Sequence, residues 1–210
     1  MGGFVRTGDS RDLRRALSHY VRTGYGGTAT MTRRLGGTAA TAGRLSGILQ
    51  SGHAPDGTEL RDAVLASGND VTAILDVIVE AASPADGTQD KESSRRAVRD
   101  ALSDLLAKFP DADLLALTEA QRTFVIERYA ALDVYGRFCL DLQKTVLDKA
   151  PDLTTGLRRL KYVREFITEQ VSAAFRAIRE RGWSATTASV GRMTREALRE
   201  TLNVFEEYTI

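Results

Sequence analysis

Cysteine occurs once in these 210 residues, at Cys139, so no disulfide can form within the chain. A lone cysteine in an apolar run behaves as a small buried side chain, and such scarcity suits a reducing compartment. Histidine occurs twice, at His19 and His53, and neither has a ligand-type partner three or four positions on. That spacing excludes the usual zinc arrangements and leaves both as surface or capping groups, with no metal expected. No apolar run approaches the roughly 18 residues of a membrane-crossing helix, and the opening MGGFVRTGDSRD lacks the hydrophobic centre of a secretory signal. The expectation is a cytoplasmic protein with no membrane partner.

Acidic residues are missing selectively. Residues 1–50 hold 8 Arg, no Lys and 2 Asp, whereas residues 51–100 hold 5 basic and 10 acidic groups, an asymmetry that the net charge of +1 hides. Either these halves face each other within one fold or they face different partners. HYVRTGYGGTATMTRRLGGTAATAGRLSGIL, residues 19–49, concentrates the imbalance: it has 7 of the 18 glycines, 4 arginines and no acid.

What is present is ordinary for a globular chain, with 42% hydrophobic and 27% charged residues, and the length suits one domain or two small ones. The dominant period is helical. Asp9 or Ser10 caps a first helix running to about Thr23, with Gly24 in the left-handed position after it and Tyr25 folding back onto Tyr20. Two short helices follow, Thr28 to Leu35 and Thr38 to Gln50, with Gly36 and Gly37 as a tight turn between them. Further helices are expected at 58–67 and, capped by Asn69 or Asp70, at 70–82, where Val71, Ile74, Leu75, Ile78 and Val79 form an apolar stripe. SPADGTQD, residues 83–90, reads as the boundary between a basic short-helix region (1–87) and a long-helix bundle (88–210) within one continuous domain.

Beyond it the helices lengthen. Residues 91–109 end at Pro110, and a helix opened by a Thr118/Gln121 capping box runs to about Ala150, its seam including Val125, Tyr129, Leu132, Tyr135, Cys139 and Val146. Asp152 opens another of about 45 Å with Leu157, Leu160, Val163 and Ile167 at heptad-like intervals, closed by Gly182 with Trp183 on Ile178. A last helix spans 189–208 and buries Leu198, Leu202 and Phe205. No segment alternates with period two between hairpin turns. The predicted fold is all-α, a helical bundle of long antiparallel helices with a cluster of shorter N-terminal helices.

Candidate chemistry is sparse. GYGGTATM follows a helix, carries no lysine and does not match a phosphate-binding loop. TATMTRRLGGTAATAGRLSGIL suits a helix-turn-helix better, with Thr38, Thr41 and Arg44 on one polar side to meet nucleic acid. In that reading Arg14, Arg15, Arg22, Arg33, Arg34 and Arg44 supply phosphate contacts, whose strength falls as salt rises. The same pattern arises whenever two short helices pack through Ala and Gly. Cys139 has no histidine near it in sequence, and the carboxylates of Asp111, Asp113, Glu206 and Glu207 sit where helix caps and solvated faces account for them. Neither an active site nor a cofactor is expected.

FVRTGDSRDLRRALSHYVRTGYGGTATMTRRLGG at 4–37 and TAATAGRLSGIL at 38–49, with LKYVREFITEQV at 160–171 and the closing VFEEYTI, resemble the QatB family of the Qat anti-phage defence system. The resemblance implies a bacterial, non-enzymatic defence component encoded beside an ATPase (QatA-type), a QueC-like enzyme (QatC-type) and a TatD-like nuclease. It further implies that the QueC-like enzyme, of a class that makes 7-deazaguanine compounds, attaches a deazapurine to the N-terminal glycine of its protein partner, here Gly2. Family members carry a flexible Gly/Ser/Pro-rich tail before the FxRxG stretch, whereas only Met1, Gly2 and Gly3 precede Phe4 here. Glycine suits that chemistry, since its amine is unobstructed and partly neutral at cellular pH.

Overall fold

A computed structural model of the chain describes residues 1–68, 70–182 and 187–208. Among these residues the regular structure is helical: α1 (Gly2–Thr7), α2 (Ser10–His19), α3 (Thr28–Arg34), α4 (Gly36–Ser51), α5 (Leu60–Ala66), α6 (Val71–Ala82), α7 (Gln89–Lys108), α8 (Glu119–Lys149), α9 (Leu153–Glu180) and α10 (Thr187–Glu207). A π-helical turn, Tyr20–Gly24, extends α2. The all-α expectation holds.

Most starts are written in the local sequence. Asp9 Oδ1 accepts the Arg11 and Asp12 amides at 2.7 and 3.4 Å, and Asp70, Thr88 and Asp152 cap α6, α7 and α9 through the third residue on. Thr118 and Gln121 close the expected capping box at the start of α8. Asp113 accepts the Leu115 amide at 2.9 Å in the preceding loop. At the far end of α9, Gly182 takes φ +87° as expected. Asn69 as a cap and the Trp183 contact fall outside the described residues.

Other expectations need correction. A helix absent from the sequence reading, α1, precedes α2 and buries Phe4 and Val5 completely. The left-handed glycines after α2 are Gly26 and Gly27, at φ +77° and +102°, and not Gly24, because the π turn carries the chain one step further before it breaks. Tyr25 still packs edge-on against Tyr20, with centroids 5.3 Å apart. Gly36 and Gly37 form no turn: α4 starts at Gly36, and only Leu35 separates it from α3. Val71 and Leu157 of the predicted stripes are exposed, so the apolar faces of α6 and α9 start further along.

Four helices close a ring in which α4 packs on α8, α8 on α9, α9 on α10 and α10 back on α4. Neighbours run antiparallel. Glu127 meets Arg179 far from the α8–α9 turn, and Gly156 lies against Leu147 beside it. Along the α4–α8 contact, Thr38 meets Asp133. The expected long-helix bundle therefore takes one of its walls from α4, in the N-terminal region, while α7 lies outside the ring against α8 and α6. A single hydrophobic cluster runs from Phe4 to Phe205 and includes Tyr129, Phe138 and Phe175, all shielded from solvent.

The α4–α10 contact explains the small residues of TAATAG. A Cβ on Gly191 would sit 3.2 Å from the Ala39 carbonyl oxygen, and one on Gly43 would sit 3.8 Å from the Gly191 Cα. Glycine and alanine let the two backbones approach this closely.

Candidate functional site

Thr38 and Thr41 are turned inward, only 3% and 2% exposed. This corrects the helix-turn-helix reading, because α3 and α4 have no turn between them and the polar side of α4 faces protein. Arg44 follows the same face. Its Nε donates to the Ala82 carbonyl at 2.8 Å and an Nη to the Thr41 hydroxyl at 2.9 Å, tying α4 to the end of α6.

Those residues form one wall of a cleft of about 360 Å³ between α4, the start of α7 and the middle of α8. Thr38 Oγ1 donates to Asp133 Oδ2 at 2.6 Å, and Ser94 and Tyr129 share a hydrogen bond of 2.8 Å beside it. Burial raises the Asp133 carboxyl above the usual carboxylate range, against the lowering effect of the Thr38 hydroxyl and of Arg137. Arg137, one turn along α8, is committed to Asp90 at 2.5 Å. Arg34 and Lys91 complete the rim, Arg34 with its guanidinium 5.8 Å from the Tyr25 ring centroid.

A second groove, of about 600 Å³, opens at the N-terminus and is lined in part by Gly3, Asp12, Arg15, His19, Arg22 and Tyr208. Burial and then Lys149 lower the pKa of the Met1 amine, with Asp12 opposing them. Arg14 lies over the Tyr208 ring, 5.3 Å from its centroid. Phe4 is held from the other side by Arg159, whose guanidinium is 5.9 Å from the ring centroid and whose Nε donates to the Val5 carbonyl at 3.3 Å.

The six arginines singled out in the sequence are thus not one patch. Arg34 and Arg44 belong to the cleft, Arg15 and Arg22 to the N-terminal groove, Arg14 stacks on Tyr208, and Arg33 is exposed next to Thr30. Among the described residues, no ion pair includes any arginine of residues 1–50. The complementary-faces explanation of the charge asymmetry therefore fails at ion-pair distance, because the acids of α6 and early α7 are taken by Arg95, Arg99 and Arg137 instead.

The residues carrying the cleft's chemistry on its far side, Asp133, Ser94 and Tyr129, were missed in the sequence. Their one available signal was a carboxylate four residues after Tyr129 on the buried side of α8. Cys139 is half-buried, and burial pushes its thiol up. His19 and His53 are exposed, and among the described residues no group of three His, Cys, Asp or Glu side chains could hold a metal ion. Glu206 caps α3, accepting the Thr28 amide at 2.9 Å, and hydrogen bonding by the Thr28 side chain and amide holds its carboxyl below the usual range. Tyr20 and Tyr25 both donate to Asp141 Oδ2 at 2.6 Å, which fastens the glycine-rich stretch to α8. No described helix is long and apolar enough to cross a membrane.

A family model described as Qat anti-phage system associated protein QatB matches residues 26–205, from just past the π turn into the last turn of α10, leaving α1, α2 and the π turn outside the match. Comparison with curated proteins returned no match, and neither did comparison with solved structures. With most of its length matched, the chain belongs to the QatB family: it is a component of the Qat anti-phage defence system, whose other components are its partners.

Proposed function

We propose that the chain is a non-catalytic adaptor of the Qat system and the protein substrate of its QueC-like, QatC-type enzyme, which modifies the amine of Gly2 once Met1 is removed. The observation that carries this reading is that the fold does not require glycine at position 2. Gly2 lies in α1 with an ordinary backbone, and a Cβ there would meet nothing closer than Lys149 Cδ at 3.9 Å. Gly3 differs, since its Cβ would press on the Asp12 carboxylate at 3.2 Å. A glycine that packing does not demand suits an enzyme pocket that admits only an unsubstituted N-terminal residue.

Burial and then Lys149 lower the pKa of the Met1 amine, and Lys149 also lies beside Gly2, its Cδ 3.9 Å from where a Gly2 Cβ would sit. The groove beside it, with Arg15, Arg22 and Tyr208, offers the enzyme a docking face. Co-expression of the full-length chain with its QueC-like enzyme, followed by intact-mass and N-terminal peptide analysis, tests the proposal. The expected result is an added mass confined to the Gly2 peptide, lost with an inactivated enzyme. An unmodified N-terminus beside an active enzyme overturns it.

A further inference from the structure

The cleft between α4, α7 and α8 takes no part in N-terminal modification, yet it is not finished as a structural network. Asp133 sits among Thr38, Ser94 and Tyr129, which are 3%, 7% and 0% exposed, and the Thr38 hydroxyl bonds it at 2.6 Å. Among the described residues no cation pairs with it at ion-pair distance, although two lie close in the fold. Arg137 goes to Asp90, and Arg44 goes to the Ala82 carbonyl and to Thr41. Asp133 is itself partly shielded from solvent, and its carboxylate, held mainly by hydroxyls, lacks the charged or N–H partners that normally offset lost hydration. The rim has the opposite surplus. Arg34 and Lys91 line it without a carboxylate at ion-pair distance among the described residues; Asp90 is taken by Arg137, and Asp86, held by Thr88, feels Lys91 only at longer range.

An acceptor at the floor and unpaired cations at the rim describe a two-ended ligand, anionic at one end and rich in N–H donors at the other. The volume of about 360 Å³ lies at the small end of small-molecule sites and is too little for a nucleic-acid strand or a docked helix. We propose that this cleft binds a mononucleotide, with its phosphate on Arg34 and Lys91 and the N–H donors of its base on Asp133. Arg44 and Thr41 then serve to hold the α4 wall in place. The Thr38, Thr41 and Arg44 face that reads in sequence as a nucleic-acid contact is in this assignment the wall of a nucleotide pocket.

Calorimetric titration of the full-length chain with AMP, GMP, CMP and UMP, and separately with inorganic phosphate and with adenosine, tests the assignment. At least one mononucleotide is expected to bind at sub-millimolar concentration, and phosphate and adenosine about tenfold or more weaker, since each lacks one end. The R34A/K91A double variant changes two rim side chains and is expected to lower mononucleotide affinity about tenfold while leaving the melting temperature unchanged. D133N keeps the shape, removes the buried charge and is expected to fold at least as stably; it weakens the mononucleotide and leaves phosphate binding as it was. Absence of binding by all four mononucleotides at 1 mM, binding indifferent to both variants, or inorganic phosphate binding as tightly as a mononucleotide each overturns it. None of these results bears on the N-terminal amine, so the two proposals stand or fall separately.

Discussion

Arginine does different work in the two halves of this molecule. In the long helices it cross-links: Arg128 with Asp104, Arg179 with Glu127 and Arg181 with Glu200 each bridge two helices. In residues 1–50 no arginine makes an ion pair among the described residues, and the region is attached by other means. It docks through close backbone contact at Gly43 and Gly191, through the Tyr20 and Tyr25 hydroxyls on Asp141, and through the Glu206 cap on α3. Positive charge that the fold does not consume is available to a partner, whereas charge locked between helices is not.

The largest effect should come from breaking the attachment of the N-terminal region. Gly191→Leu places a side chain against the Ala39 carbonyl, and backbone cannot move aside as a flexible side chain would. A loss of about 3 kcal/mol in denaturant unfolding is expected, in the range for overpacked cores. A change below about 0.5 kcal/mol would mean that α4 does not rest on α10 as described. Gly37→Ala is the contrasting change in the same region, because nothing lies within 4 Å of its Cβ position, and it should stabilise by about 0.5–1 kcal/mol through helix propensity.

Next comes the bundle's own cross-link. Arg179→Ala strands Glu127, whose carboxyl burial holds above the usual range despite the guanidinium beside it. About 1–3 kcal/mol should be lost, and Glu127→Gln in the same chain should restore part of it, because the stranded charge is what costs most. Replacing Arg11, Arg15 and Arg22 together by Ala should change stability by no more than about 0.5 kcal/mol per site. The same triple variant should lose salt-sensitive co-purification with the other Qat components. Stability falling as far as for Arg179→Ala would erase the distinction between the halves.

The smallest effect concerns pH. Glu206 has a folded-state pKa below its unfolded value of 4.5. Its cap therefore contributes fully above that unfolded value and is lost as the pH falls through the depressed folded one. Glu206→Gln should flatten the acid limb of the stability curve, and an unchanged limb would show that the cap carries no charge-dependent stability.

Helix content and most helix starts were legible because a cap is a matter of neighbours: Asp70 reaches Ala73, Thr118 reaches Gln121, Asp152 reaches Thr155, all within four residues, whereas the Thr88 cap of α7 lay inside the stretch read as a boundary. The breaks were legible less often. Gly24 looked like a stop only because nothing in the sequence announces a π turn, and Gly36–Gly37 looked like a turn although both lie in the first turn of α4; the small residues that α10 does require, Ala39 and Gly43, answer to Gly191, some 150 positions away. Of the candidate site, Thr38, Thr41 and Arg44 were visible as a polar stripe, but a stripe does not say whether it faces water, DNA or protein.

By itself, then, the sequence determined an all-helical chain, the lengths of its long helices, an arginine-rich front end and the family signature, because periodicity, caps and composition are local properties. Tertiary structure decided that α4 is the fourth wall of the ring, that Asp133 and Ser94 meet Thr38 and Tyr129 around one cleft, and that, among the described residues, no arginine of residues 1–50 enters an ion pair. Those outcomes rest on contacts between residues 35 to 150 positions apart, and which of many chemically similar faces meet is settled only when the helices pack.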